Sequence, residues 1–184
     1  SPLPCHMIII KLLGGVSIIK NTKLNNDYNN KIEQLIKTLD NYSSIAFTDG
    51  SYCNKTRKGG YGIVFITNKN KIEIIKSFSN NKKQHSDILK LHSVGAECEA
   101  VKQAIKTAIE LNMKRISIFY DYEGIEKWIN HEWNLSSDYV DNYYDSIKSF
   151  SKQITIKFIK IKSHSNIYYN ELADKLAKSA LNKY

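Results

Sequence analysis

Four acidic residues stand where a carboxylate needs a reason to be. Asp49 sits in the run Phe47-Thr48-Asp49-Gly50-Ser51, and Ser51, Tyr52 and Cys53 continue the strand-like pattern. The carboxylate therefore falls inside a strand, where it is costly without a cation, although an Asp before Gly is by itself a turn signal. Asp121 follows Ile116, Ile118 and Tyr120 at the carboxyl end of a strand and just ahead of a helix, a place that suits a helix N-cap as well as a ligand. Glu97 belongs to a helix with the apolar stripe Val94, Cys98, Val101, Ile105 and Ala108. At about 100° per residue it lies about 70° from the centre of that stripe, beside the buried face, whereas Glu99 lies about 130° away on the solvent side. Asp174 flanks the stripe Leu172, Ala173, Leu176, Ala177 and Ala180, in the first turns of a helix, where negative charge is favourable in any case. Four carboxylates brought together repel unless hard cations neutralise them. Donors that are all oxygen select Mg²⁺ or Mn²⁺, and two such ions about 4 Å apart clamp an in-line phosphoryl displacement.

The elements that must position these acids are legible from periodicity. Three short β-rich runs, Ser44 to Cys53, Tyr61 to Thr67 and Ile72 to Phe78, are separated by turn-prone stretches and predict an antiparallel meander. A polar loop over 79–91 leads to a helix from Val94 to Leu111. A strand from Arg115 to Tyr120, helices over Tyr122–Trp133 and Asp138–Ser151, a strand from Ile154 to Ile161 and a last helix from Tyr168 to Leu181 follow. Strands joined through helices lie parallel, with right-handed crossovers. The fold class is α/β, and reactive groups in such sheets gather at the carboxyl ends of strands where the strand order reverses.

The chain has 184 residues, 42% hydrophobic and 24% charged, enough for one domain with a sizeable core. Gly 8 and Pro 2 exclude a collagenous or linker-like chain, and no run approaches the roughly 18 apolar residues of a membrane span. The net charge of +9 suits a polyanionic partner such as nucleic acid. Only Arg57 and Arg115 are arginines among 27 basic residues, however, and the abundance of Lys, Asn, Ile and Tyr is what an AT-rich genome writes. Cys5, Cys53 and Cys98 show no Cys-x-x-Cys spacing, so neither a disulfide framework nor a zinc site is indicated, and an intracellular, cytoplasmic setting is expected.

Residues 1–6 ahead of Met7 read as an expression remnant. Residues 7–43 read as an N-terminal extension: two short apolar runs split by Gly14-Gly15 as a hairpin, then a helix marked by Ile32, Leu35, Ile36 and Leu39. Residues 44–184 carry the acids. Trp128 and Trp133, at helical spacing, read as core rather than as a stacking platform.

Five pieces in order carry a family resemblance: Phe-Thr-Asp-Gly-Ser-Tyr at 47–52, Gly-Gly-Tyr-Gly at 59–62, Val-Gly-Ala-Glu-Cys-Glu-Ala at 94–100, Tyr-Asp-Tyr-Glu-Gly-Ile-Glu-Lys-Trp at 120–128, and Lys-Ser-His-Ser at 162–165 with Asn-Glu-Leu-Ala-Asp-Lys-Leu-Ala at 170–177. Together they resemble type-1 ribonuclease H, in its compact bacterial and viroplasmin-linked branch. The resemblance implies a ribonuclease H-like catalytic domain over 44–184. Its fold would be a five-stranded mixed sheet, three antiparallel strands and then parallel strands joined by helices, with helices on both faces. It implies an endonuclease that hydrolyses the RNA strand of RNA/DNA hybrids with two Mg²⁺ (or Mn²⁺), leaving 5′-phosphate and 3′-hydroxyl ends. In that scheme Asp49 bridges both ions, Asp174 binds the ion that activates water, and Glu97 and Asp121 bind the ion at the leaving oxygen. His164, ten residues before Asp174, resembles a loop histidine that assists proton transfer or product release. Gly50 and Ser51 resemble contacts to the RNA strand, with Asn170 a further substrate contact. His92 and Ser93 stand where the family places a phosphate pocket for the DNA strand, in place of its usual Thr and Asn. A monomer without an obligate protein partner is expected.

The chain departs from larger family members in having no Lys/Trp-rich protrusion between Trp133 and Ile154, and its first 43 residues lack the family's hybrid-binding pattern. Rival nucleases of the same superfamily fit less well. A proofreading-type exonuclease wants Asp-x-Glu where Asp49-Gly50-Ser51 stands, and an integrase uses Glu in the place of Asp174. A silent nucleic-acid-binding module would be signalled by loss of one acid, and all four are present.

Overall fold

The computed structural model describes residues 7–11, 22–79, 83–122, 124–125, 138–162 and 166–182. Strands β1 (Met7–Lys11), β2 (Ser43–Cys53), β3 (Lys58–Ile66), β4 (Lys71–Phe78), β5 (Arg115–Tyr120) and β6 (Thr155–Lys160) form one sheet in the order β1-β6-β5-β2-β3-β4. The meander β2-β3-β4 is antiparallel, and β2-β5-β6 run parallel. The expected five strands are therefore present, and a sixth is added at the edge. Of the hairpin expected from Met7 to Ile19, the described arm Met7–Lys11 pairs in parallel with β6; the other arm lies outside the described residues, as do Trp128, Trp133 and His164.

The helices are α1 (Thr22–Lys37), α2 (Lys83–Lys90), α3 (His92–Glu110), α4 (Asp138–Phe150) and α5 (Tyr168–Leu181). Two expectations are corrected. The polar loop over 79–91 holds helix α2, whose Ile88 and Leu89 are buried in the core. Helix α1 begins inside the Asn-rich segment and is longer than the apolar stripe alone indicates, and Leu35 of that stripe is exposed. None of the helices among the described residues is long and apolar enough to cross a membrane.

Alternation along the strands divides the core into two layers. On one face Ala46, Ile63, Ile116, Ile118 and Phe158 meet Ala100, Val101, Ala104 and Ile105 of α3 and Tyr143 and Ile147 of α4. On the other, Ile45, Phe47, Val64, Phe119 and Ile159 meet Ala173 and Leu176 of α5 and Ile32 of α1. Small residues on the inner faces of α3 and α5 let both helices approach the sheet closely, and that approach determines how near their acids come to β2.

Candidate active site

Strand β2 is where the strand order reverses. Its one neighbour, β3, comes next along the chain, while its other, β5, arrives only after α2 and α3 have crossed the sheet. Phe47 pairs with Phe119 in the parallel register and the two rings stack at 4.6 Å. The pairing ends there; Asp49 lies two residues further along β2, and Asp121 directly follows β5. The crevice expected outside a switch point is thus lined by a carboxylate on β2 and one just beyond the carboxyl end of β5.

Glycines bring the helical acids to this pair. A Cβ on Gly50 would strike the Ser93 carbonyl and the Glu97 amide nitrogen of α3; only a residue without a side chain lets α3 cross β2 there and place Glu97 beside Asp49. On the opposite face Gly62, which pairs with Asp49, lies under the Ala173 carbonyl and the Ala177 nitrogen of α5, which seats the turn carrying Asp174. Gly62→Ala is expected to lift that turn, costing about 1–3 kcal/mol of stability and lowering catalytic rate about tenfold through misplacement of Asp174. Thermal melting and single-turnover rates check this; unchanged values in both would show that α5 is not seated on Gly62.

One carboxylate oxygen from each of Asp49, Glu97 and Asp121 lies within 4.8 Å of the other two. Asp174 lies beside this trio, close enough for its carboxylate to act on Asp49, and makes an ion pair of 2.7 Å with Lys178 one turn along α5. Glu97 is 4% exposed. The Tyr122 backbone N–H donates to its carboxylate, while its Oε1 is buried with no hydrogen-bond partner. Glu99, expected on the solvent side, is instead half buried: it pairs with Lys102 at 2.8 Å and accepts a hydrogen bond from Tyr139 Oη at 2.8 Å. Helix α4 covers that side of α3, which the helix-face geometry of one element could not show. A groove of about 550 Å³ between α2, α3 and α4 is lined by Glu99, Lys102 and Tyr139 and by none of the four site acids.

The electrostatics follow from this crowding. Burial, then the charge of Asp121, then the hydrogen bond and charge of Asp174 push the Asp49 carboxyl up to about 8, against the stabilising Gly50 N–H, which donates to Asp49 Oδ1 at 2.9 Å. Burial, followed by Asp121 and Asp49, raises Glu97 well above the ordinary carboxylate range. An all-oxygen donor set, an orphaned buried oxygen on Glu97 and mutual repulsion are what a hard divalent cation relieves, so the residues present fit a metal site.

The other residues expected at the site are distributed around it. Ser51 follows Gly50 on β2 and is half exposed. His92 and Ser93 are exposed at the start of α3, the His92 ring stacked on Tyr52 at 4.5 Å. Asn170 is buried one turn before Asp174, and its Oδ1 lacks a partner. Gly62 enters the sequence reading only as part of a motif, and Lys178 not at all; the Asp174…Lys178 spacing of four on a helix is the available signal for the latter.

A family profile described as RNase H matches residues 41–182. The Ribonuclease H of Clostridium botulinum is 26% identical over 146 residues, covering 76% of this chain and 96% of that protein. The Ribonuclease H of Caldanaerobacter subterraneus subsp. tengcongensis is 30% identical over 142 residues, covering 75% and 90%. Among solved structures, RNase H1 of the halophilic archaeon Halobacterium salinarum superposes with a TM-score of 0.62 at 17% identity, covering 77% of this chain and 99% of that one. LC11-RNase H1 in complex with an RNA/DNA hybrid superposes with a TM-score of 0.56, also at 17% identity, covering 75% and 99%.

Proposed function

The chain belongs to the ribonuclease H family, and on that footing we propose that it is an endonuclease hydrolysing the RNA strand of RNA/DNA hybrids to leave 5′-phosphate and 3′-hydroxyl ends. The observation that carries this reading is the convergence of Asp49, Glu97 and Asp121 within 4.8 Å at the strand-order reversal, with Asp174 beside Asp49. Residues 44–184 form the catalytic domain, preceded by the extension 7–43, and act as a monomer.

The acids would hold two divalent ions, Mg²⁺ or Mn²⁺, Asp49 serving both, Asp174 one and Glu97 and Asp121 the other. When bound, such ions make water a nucleophile at neutral pH and stabilise charge on the oxygens of an in-line phosphoryl displacement. The protein's own part is orientation. The Gly50 N–H orients the Asp49 carboxylate, the Tyr122 N–H and the close-packed α3 orient Glu97, and Lys178 pairs with Asp174. Gly50 and Ser51 contact the RNA strand, the exposed His92 and Ser93 contact the DNA strand beside them, and Asn170 is a further substrate contact. RNA is told from DNA by its 2′-hydroxyls across a minor groove. His164 assists proton transfer or product release.

With Mg²⁺ or Mn²⁺, end-labelled RNA/DNA hybrid should lose only its RNA strand, by internal cuts, while double-stranded RNA and double-stranded DNA stay whole. Binding of hybrid without any cutting would instead mark a silent binding module, and cutting of double-stranded DNA would mark another nuclease chemistry.

A further inference from the structure

Helix α5, which carries Asp174, has no cap of its own. It begins at Tyr168 after Ile167, whose side chain accepts no hydrogen bond, and no side-chain cap is made at that position. The first backbone N–H groups of any helix need acceptors from elsewhere. Here the acceptor comes from α1, 139 positions earlier in the chain: Tyr168 N–H donates to Asn29 Oδ1 at 2.9 Å. The same amide donates from Nδ2 to the Asn166 carbonyl at 3.0 Å. One side chain thus brackets the link Asn166–Tyr168, in which Asn166 holds the left-handed backbone conformation, φ 54°, that Asn enters more readily than other residues with a Cβ.

Two more contacts lie on the same face of α1. Ile32 is buried with Ile167 in one apolar cluster. The Tyr169 hydroxyl faces the Glu33 carboxylate, and the Tyr169 ring packs on Phe47 at 5.4 Å, two residues before Asp49 on the same face of β2. Residues 29, 32 and 33 follow the i, i+3, i+4 spacing of a single helix face. All three precede the family match, which begins at residue 41, so this contact belongs to the chain's own extension.

We propose that α1 is a positioning element for the active site, with Asn29 the cap, supplied from outside the family domain, that sets the start of α5 and with it the place of Asp174. Asp174 is six residues beyond Tyr168, about 9 Å along the axis, so a change of tilt at the first turn moves its carboxylate. The proposal rests on the nuclease reading of the site, and Asn29 and Glu33 act through α5 without touching substrate.

The test compares the intact protein with Asn29→Ala and Asn29→Asp, the latter keeping an acceptor for Tyr168 N–H. Two quantities are read well below the melting temperature: the half-saturating Mg²⁺ concentration by titration calorimetry without substrate, and kcat against KM on the hybrid. Asn29→Ala should raise the half-saturating Mg²⁺ and lower kcat by about tenfold each, with KM within about twofold, and Asn29→Asp should recover most of both. A lower Tm with half-saturating Mg²⁺ and kcat within about twofold of the intact protein would reduce α1 to a merely stabilising role and overturn the proposal. Should Asn29→Ala not fold, Tyr169→Phe removes only the hydroxyl facing Glu33; a shift of about threefold or more in half-saturating Mg²⁺ supports the proposal, and no shift overturns it. An intact protein that neither gains Tm with Mg²⁺ nor cuts hybrid overturns the nuclease reading and this proposal with it. An active intact protein beside an indifferent Asn29→Ala overturns this proposal alone.

Discussion

Glu97→Gln is expected to slow hybrid cleavage by about 10³-fold, close to 4 kcal/mol at the transition state, while Glu99→Gln, two residues away on the same helix, changes it by less than about threefold. The difference comes from where α3 points each side chain. Glu97 is 4% exposed, aimed at Asp49 and Asp121, and held by the Tyr122 N–H. A neutral amide there keeps the shape and loses the charge that a divalent cation needs. Glu99 faces Lys102 and Tyr139 instead, and Gln preserves an acceptor for the tyrosine while giving up the ion pair. Its replacement should lower stability by about 1 kcal/mol, read as a fall of a few degrees in Tm. Single-turnover rates for the two variants decide the matter, and equal losses would show that both acids serve the reaction.

Asp49→Asn is expected to make the metal-free protein more stable as it makes it inactive. The Asp49 carboxyl is pushed up to about 8 by burial and by its acidic neighbours, against an ordinary value of about 3.9 in an unfolded chain. The folded form therefore binds this proton more tightly than the unfolded form does. The contribution of Asp49 to stability is fully present below about pH 4 and is lost as the pH rises toward 8. In chelator the stability of the intact protein should fall relative to that of Asp49→Asn across pH 5 to 8, read as a fall of several degrees in Tm at the upper end. Added Mg²⁺ should restore the intact protein and leave the variant little changed. Parallel pH profiles for the two proteins, with no selective effect of Mg²⁺, would mean that the three carboxylates are not held together in solution.

Much of this site was legible because its acids break local patterns. Asp49 stood out because Ser51, Tyr52 and Cys53 kept the strand going past it, and β2 does run from Ser43 to Cys53. Glu97 was separable from Glu99 because one helix has one buried face. What escaped depends on partners distant in sequence. The half-burial of Glu99 comes from Tyr139 on α4, and the cap of α5 comes from Asn29; no pattern within either segment encodes these contacts. Helix α2 buries only Ile88 and Leu89 among its described side chains, too few for a periodic signal among polar neighbours. Strand β1 has five residues and an edge position set by pairing with β6, so its apolar run was equally consistent with a local hairpin. The glycines at 59, 60 and 62 signalled a family resemblance, but the reason for Gly62, a helix backbone lying against it, required the packed structure.

The most direct measurement of the central claim is cleavage and binding of one end-labelled RNA/DNA hybrid by the intact protein and by Asp49→Asn, with Mg²⁺ and with Mn²⁺. The account predicts that both proteins bind the hybrid, that the intact protein cuts its RNA strand internally, and that cutting by Asp49→Asn falls by about 10³-fold or more. Cleavage that persists in Asp49→Asn, or an intact protein that binds hybrid and leaves it whole with either metal, would contradict it.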